Sequence, residues 1–155
     1  IRIIMDGNNT AVDDYDEETQ ALLHALDNEN NSNIVKLSHG KIKSMKNTFL
    51  QQLHLPREEL KLLHIKLKEY RIVDDLSDLN LGCYLRWIPL KNPDKLNLTN
   101  GAFVTDYKIV PGGVVLICRN HYNRFVQIKF DENMIFQKLT DQEKIILSVM
   151  EYLNS

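Results

Sequence analysis

The run Leu79–Leu90, read as Leu-Asn-Leu-Gly-Cys-Tyr-Leu-Arg-Trp-Ile-Pro-Leu, divides the chain into a helical, charge-segregated first part and a β-rich second part. Gly82 opens the run and Pro89 closes it. A pleat period of two sends Cys83, Leu85 and Trp87 to one side and Tyr84, Arg86 and Ile88 to the other. A strand with apolar groups on both sides and one arginine suits a barrel wall, with one face in a core and the other partly wetted.

Length decides how much can surround such a wall. At 155 residues, 43% hydrophobic and 26% charged, the chain can bury one sizeable core, or a barrel of about 60 residues with a helical appendage. No run of about 18 apolar residues occurs, and no basic-then-apolar leader, so neither a membrane span nor a secretory signal is expected. Cys83 and Cys118 lie in apolar runs without metal-ligand spacing, which favours a reduced intracellular setting.

The net charge of −2 hides a segregation. Residues 1–32 carry eight acids against Arg2, giving −7; residues 33–71 carry nine bases against three acids, giving +6; the remainder sums to −1. Either the basic segment meets a polyanion or the acidic arm folds back onto it.

Ile1–Met5 reads as a short edge strand or tail before the Asp6-Gly7-Asn8-Asn9 turn. From Tyr15, acids at a helix start and Leu22, Leu23 and Leu26 on one face predict a helix, followed by a polar loop over residues 27–33. Ile34, Leu37, Ile42, Met45, Phe49 and Leu53 predict a second helix, with a break at His39-Gly40. Pro56 suits the first turn of a third, striped by Leu60, Leu63, Leu67 and Tyr70. These two helices read as a hairpin whose stripes bury against each other or against the β part.

Beyond Asp75, short alternating runs separated by turn residues predict strands at 83–88, 102–110, 114–118, 124–130 and 135–136. Lys91–Asn100 is a polar connection, and Pro111-Gly112-Gly113 a tight turn. Thr140-Asp141-Gln142-Glu143 is a capping box that starts a last helix running to about Leu153, expected to pack on the barrel or across its open end. The expected architecture is therefore α+β: an N-terminal helical hairpin, a small SH3-like β-barrel and a C-terminal helix, with an OB-like barrel as the alternative. The expected divisions are an acidic arm over 1–32, a basic hairpin over 33–73, and barrel with helix over 74–155.

No phosphate-cradling glycine loop, zinc-protease helix or nucleophile elbow occurs. The best nucleophile–base pair, Cys118 with His121 across a turn, reads more simply as a core thiol and a turn residue. No catalytic residue, metal ligand or cofactor is assigned. Candidate contacts are the lysines of the hairpin segment, Lys36, Lys41, Lys43, Lys46, Lys61, Lys66 and Lys68. With them go barrel residues able to stack on bases or pair with phosphates, Tyr84, Arg86, Trp87, Arg119 and Arg124. Tyr107, Tyr122, Phe125 and Lys108 extend that interleaving.

Four strings, Pro56–Leu60, Tyr70–Asp74, Gly82–Ile88 and Ile135–Thr140, resemble an uncharacterised family of small proteins of nucleocytoplasmic large DNA viruses. The resemblance covers roughly the last two-thirds of the chain and leaves out the residues before Asn33. It implies a viral protein of the infected cell's cytoplasm, at the viral factory, or of the virion. The function expected is a non-enzymatic interaction or scaffold protein with viral or host protein partners and no membrane. The alternative is a factor that binds DNA or RNA through the basic hairpin and the barrel aromatics.

Overall fold

Apolar residues on both faces of the strands dictate the architecture in the computed structural model, which describes residues 16–153. The expected strand at Ile1–Met5 and the acids before Asp16 lie outside those residues. Six strands form one antiparallel sheet: β1 (Tyr70–Val73), β2 (Tyr84–Pro89), β3 (Ala102–Val110), β4 (Gly113–Arg119), β5 (Phe125–Lys129) and β6 (Asn133–Lys138). Their order is β1-β6-β2-β3-β4-β5.

The expected closed barrel, SH3-like or OB-like, is not formed. Closure requires every strand to have two neighbours, whereas β1 pairs only with β6 and β5 only with β4. A 3-10 turn at Phe130–Glu132 separates β5 from β6, and β6 is already flanked by β1 and β2. β1 itself differs from expectation. The spacing that places Tyr70 on a helical stripe does not hold: the third helix ends at Lys66, and Tyr70, Arg71, Ile72 and Val73 form a wholly buried strand.

Alternation gives the sheet two apolar faces. The inner face gathers Val73, Leu85, Trp87, Ala102, Val104, Leu116, Cys118, Ile128 and Ile135 into one cluster. Because the cluster draws on all six strands, including both edges, the sheet curls around it. Arg71 and Gln137, cross-strand partners on the same face, pin the segment between β1 and β2. Arg71 Nη2 donates to the Asp78 carbonyl at 2.9 Å, and Gln137 Oε1 accepts from the Asn80 amide at 2.8 Å.

On the outer face, helices α2 (His39–Gln51) and α3 (Arg57–Lys66) cover β1, β6 and β2. Leu50, Leu63 and Leu67 meet Tyr70, Ile72, Ile88, Met134 and Phe136 there, so the helical stripes bury against the sheet. The polar connection after β2 is strapped back along that strand. Thr99 N donates to the Trp87 carbonyl at 2.9 Å, Trp87 N to Thr99 Oγ1 at 3.2 Å, Arg86 Nε to the Thr99 carbonyl at 2.8 Å, and the Tyr84 hydroxyl to the Asn100 carbonyl at 2.6 Å.

The chain gathers into two compact units, residues 40–139 and a second made of residues up to 39 with 140 onward. In the second, α1 (Glu17–Asp27) packs on α4 (Asp141–Leu153), so the last helix, expected against the β part, instead buries its apolar side against the first helix. Asp16 caps α1 by accepting from the Thr19 amide at 2.7 Å, and Leu22 and Ala25 supply its buried side. The capping box of α4 forms as expected: Glu143 N donates to Thr140 Oγ1 at 3.1 Å and Thr140 N to Glu143 Oε1 at 3.0 Å. The segment expected to be a polar loop is held by amides. Asn31 Nδ2 donates to the Ala25 carbonyl at 2.7 Å, and both Asn28 and Asn31 donate to Gln142 Oε1.

Candidate binding surface on the outer sheet face

The β3–β5 half of the outer face carries exposed side chains that the strand register sets in rows. Tyr84 lies opposite Phe103, Phe103 opposite Arg119, and Arg119 opposite Phe125. Directly opposed residues in an antiparallel ladder project to the same face, so the four side chains form one row across β2, β3, β4 and β5. Tyr84 and Phe103 meet edge to face, with centroids 4.9 Å apart. The Arg119 guanidinium lies 4.8 Å from the Phe125 centroid, a cation–π geometry. Phe103 is 48% and Phe125 64% exposed, and aromatic rings of that size are usually buried by folding.

A second row, Lys108–Val115–Lys129, lies further along the same face, with Asp106–Ile117–Gln127 between. Lys129 reaches Glu132 at 3.7 Å, and Asp106 is the one acid among the rows that carry Lys108 and Arg119 and the row between them. No acid occurs between Tyr107 and Phe130. The turn joining β4 to β5 is fixed by Asn120, whose Oδ1 accepts from the Tyr122 and Arg124 amides, each at 3.0 Å. Asn123 takes the left-handed conformation, φ +66°. The turn therefore fixes the backbone that carries Arg124 and the 72%-exposed Tyr122, just before β5.

The structure scatters the other sequence candidates. Trp87 lies in the inner cluster, 7% exposed, so it faces away from the row and cannot stack on a ligand there. Tyr84 and Arg86 are half-buried, and both hold the strap after β2. Lys46 is buried; its ammonium donates to the Leu67 carbonyl at 2.7 Å and the Lys68 carbonyl at 3.4 Å, filling acceptors left open at the end of α3. Burial, and then neighbouring Lys43, push its pKa down. Lys41, Lys43, Lys61, Lys66 and Lys68 are exposed on or just beyond α2 and α3, and Lys36 is exposed in the other compact unit. His64 is pushed down by partial burial and then by Lys46 and Lys43. Phe103 is the ladder member absent from the sequence candidates. Its parity pointed to it, because Ala102 and Val104 on either side take the core positions.

Cys118 is fully buried, and burial pushes its thiol up to about 11. Nucleophilic chemistry needs thiolate and access, so the Cys118–His121 pair has neither requirement met. Iodoacetamide at mildly alkaline pH is expected to modify the partly exposed Cys83 while leaving Cys118 intact, with both modified in strong urea. Mass spectrometry showing native-state labelling of Cys118 at the Cys83 rate would refute its core assignment.

Among the described residues no group of three His, Cys, Asp or Glu is placed to hold a metal ion, and no helix is long and apolar enough to cross a membrane. No family model matches the chain. No curated protein and no solved structure shows significant similarity to it.

Proposed function

We propose that the protein is a non-enzymatic binding module that associates with nucleic acid through the uncovered outer face of β3–β5. The observation that carries this reading is the exposed Phe103–Arg119–Phe125 row, on strands that between Phe103 and Phe130 carry four bases, Lys108, Arg119, Arg124 and Lys129, against the single acid Asp106. Exposed aromatics supply stacking surface and the neighbouring cations neutralise phosphates. Local charge density governs such contacts, so the overall charge of −2 does not oppose it.

The framework is read as an opened SH3-like meander. Supporting this are the consecutive pairing of β2, β3, β4 and β5 and the return of β6 to β2 after the 3-10 turn at Phe130–Glu132. A second reading, a scaffold for viral or host proteins at the viral factory or in the virion, rests on the family resemblance. It gains support from β5, whose outer edge has no partner strand among the described residues and could accept one from another chain.

Fluorescence anisotropy with a labelled oligonucleotide tests the nucleic-acid reading. Three phosphate contacts, from Lys108, Arg119 and Arg124, predict a log K against log salt slope of about −2, or roughly 20-fold weaker binding between about 50 and 200 mM salt. Arg124→Ala is expected to make that slope shallower. Absence of binding at the lower salt would overturn the proposal.

A further inference from the structure

We infer that this surface takes an unpaired strand, with bases stacked on Phe103 and Phe125 either side of Arg119, and discriminates against a duplex. The inference rests on the nucleic-acid reading of the same face and adds to it what kind of nucleic acid fits. Phe103 and Phe125 project from strands two apart, which sets their backbones roughly 10 Å from each other. That spacing is far wider than the rise between neighbouring stacked bases in a duplex, about 3.4 Å. Bases resting on the two rings cannot therefore be adjacent members of one stack. An extended single strand places its bases apart and leaves room for a third nucleotide between them, next to the Arg119 guanidinium that lies over the Phe125 ring.

Shape argues the same way. The first row crosses four neighbouring strands and the second three, both wider than the two-stranded ribbon that a B-form major groove admits. A duplex could touch this surface only through its phosphates, leaving Phe103 and Phe125 unused. An unpaired strand uses both rings, with Arg119 inside the row and Lys108 further along the same face. A site of about three nucleotides follows, and it is tolerant of sequence, since every base has a face to stack.

The test compares wild type with Phe125→Ala, Phe125→Leu, Phe103→Leu and Arg124→Ala on a labelled mixed-sequence single strand of about 12 nucleotides and on its blunt duplex. The leucine variants keep apolar volume while removing the ring face, and thermal melts confirm that each is folded. The expected result is tighter binding of the single strand than the duplex, with each aromatic replacement weakening the single-strand complex by about 5- to 150-fold and leaving the salt slope unchanged. Equal binding of both forms, insensitive to Phe103 and Phe125 but weakened by Arg124→Ala, would overturn the single-strand inference and leave the nucleic-acid reading standing. No binding of either form would overturn both and assign the row to protein contacts.

Discussion

Trp87→Ala is expected to lower the unfolding free energy by about 3–5 kcal/mol, read as a large fall in the urea midpoint. The indole is 7% exposed and sits in the inner cluster with Leu85, Ala102, Val104, Leu116 and Ile135. Ile135 is its direct cross-strand partner on β6. Because the sheet curls over this cluster, the cavity would open where all six strands converge, and the surrounding chains have little room to collapse into it. Trp87→Phe keeps most of the volume and should cost less. This is also the only tryptophan, so its fluorescence reports on the inner face alone. Emission should be characteristic of a buried indole and should stay unchanged when an oligonucleotide is added. Wild-type stability of the alanine variant, or strong quenching by ligand, would show that the inner and outer faces had been exchanged.

Gly101→Ala is expected to destabilise the protein by about 3 kcal/mol, for two reasons that act together. Gly101 has φ +94°, where a side chain is strained, and an added Cβ would collide with the Leu85 carbonyl, with the Tyr84 ring and the Arg86 Cγ also crowded. The carbonyl belongs to β2 and cannot retreat without disturbing the pairing of Leu85 with Gln137 and Ala102. Gly112→Ala is the control: nothing lies within 4 Å of its added Cβ, and its urea midpoint should stay near wild type. Equal midpoints for the two variants would mean that the strap after β2 is not held where the hydrogen bonds of Tyr84, Arg86 and Thr99 place it.

Strand parity was legible in the sequence. Alternation in Gly82–Pro89 separated Leu85 and Trp87 from Tyr84, Arg86 and Ile88, and the structure keeps that division. Helix ends were legible too, since Thr140 and Glu143 cap α4 through local chemistry that needs no tertiary partner. Barrel closure was not, because whether β5 finds a second neighbour depends on where β6 and β1 dock, and no local pattern encodes that. Tyr70 fitted a helical stripe by spacing, yet pairing with β6 overrode it. Lys46 was indistinguishable from its exposed neighbours by composition; only the approach of α3 reveals its ammonium as a cap for carbonyls. Trp87 is aromatic and so resembles a stacking residue by type, but its parity with Leu85 places it inside.

The acidic segment needs a different experiment from simple truncation. Removing residues 1–32 would take away α1, whose Leu22 and Ala25 are buried, and would uncover the side of α4 on which it packs. Any change in polyanion affinity would then mix lost charge with lost structure. Neutralising exposed Glu17 and Glu18 individually leaves the helix in place and separates the two effects.

The pairing of α1 with α4 also fixes a timetable. Asn31 and its acceptor Gln142 stand 111 positions apart, and a ribosome adds about 5–20 residues per second, so α1 emerges roughly 5–20 s before its partner exists. Throughout that interval Leu22 and Ala25 have no native cover. Nascent chains stalled before Asp141 should therefore recruit holding chaperones at α1, and release of the finished polypeptide should end that recruitment.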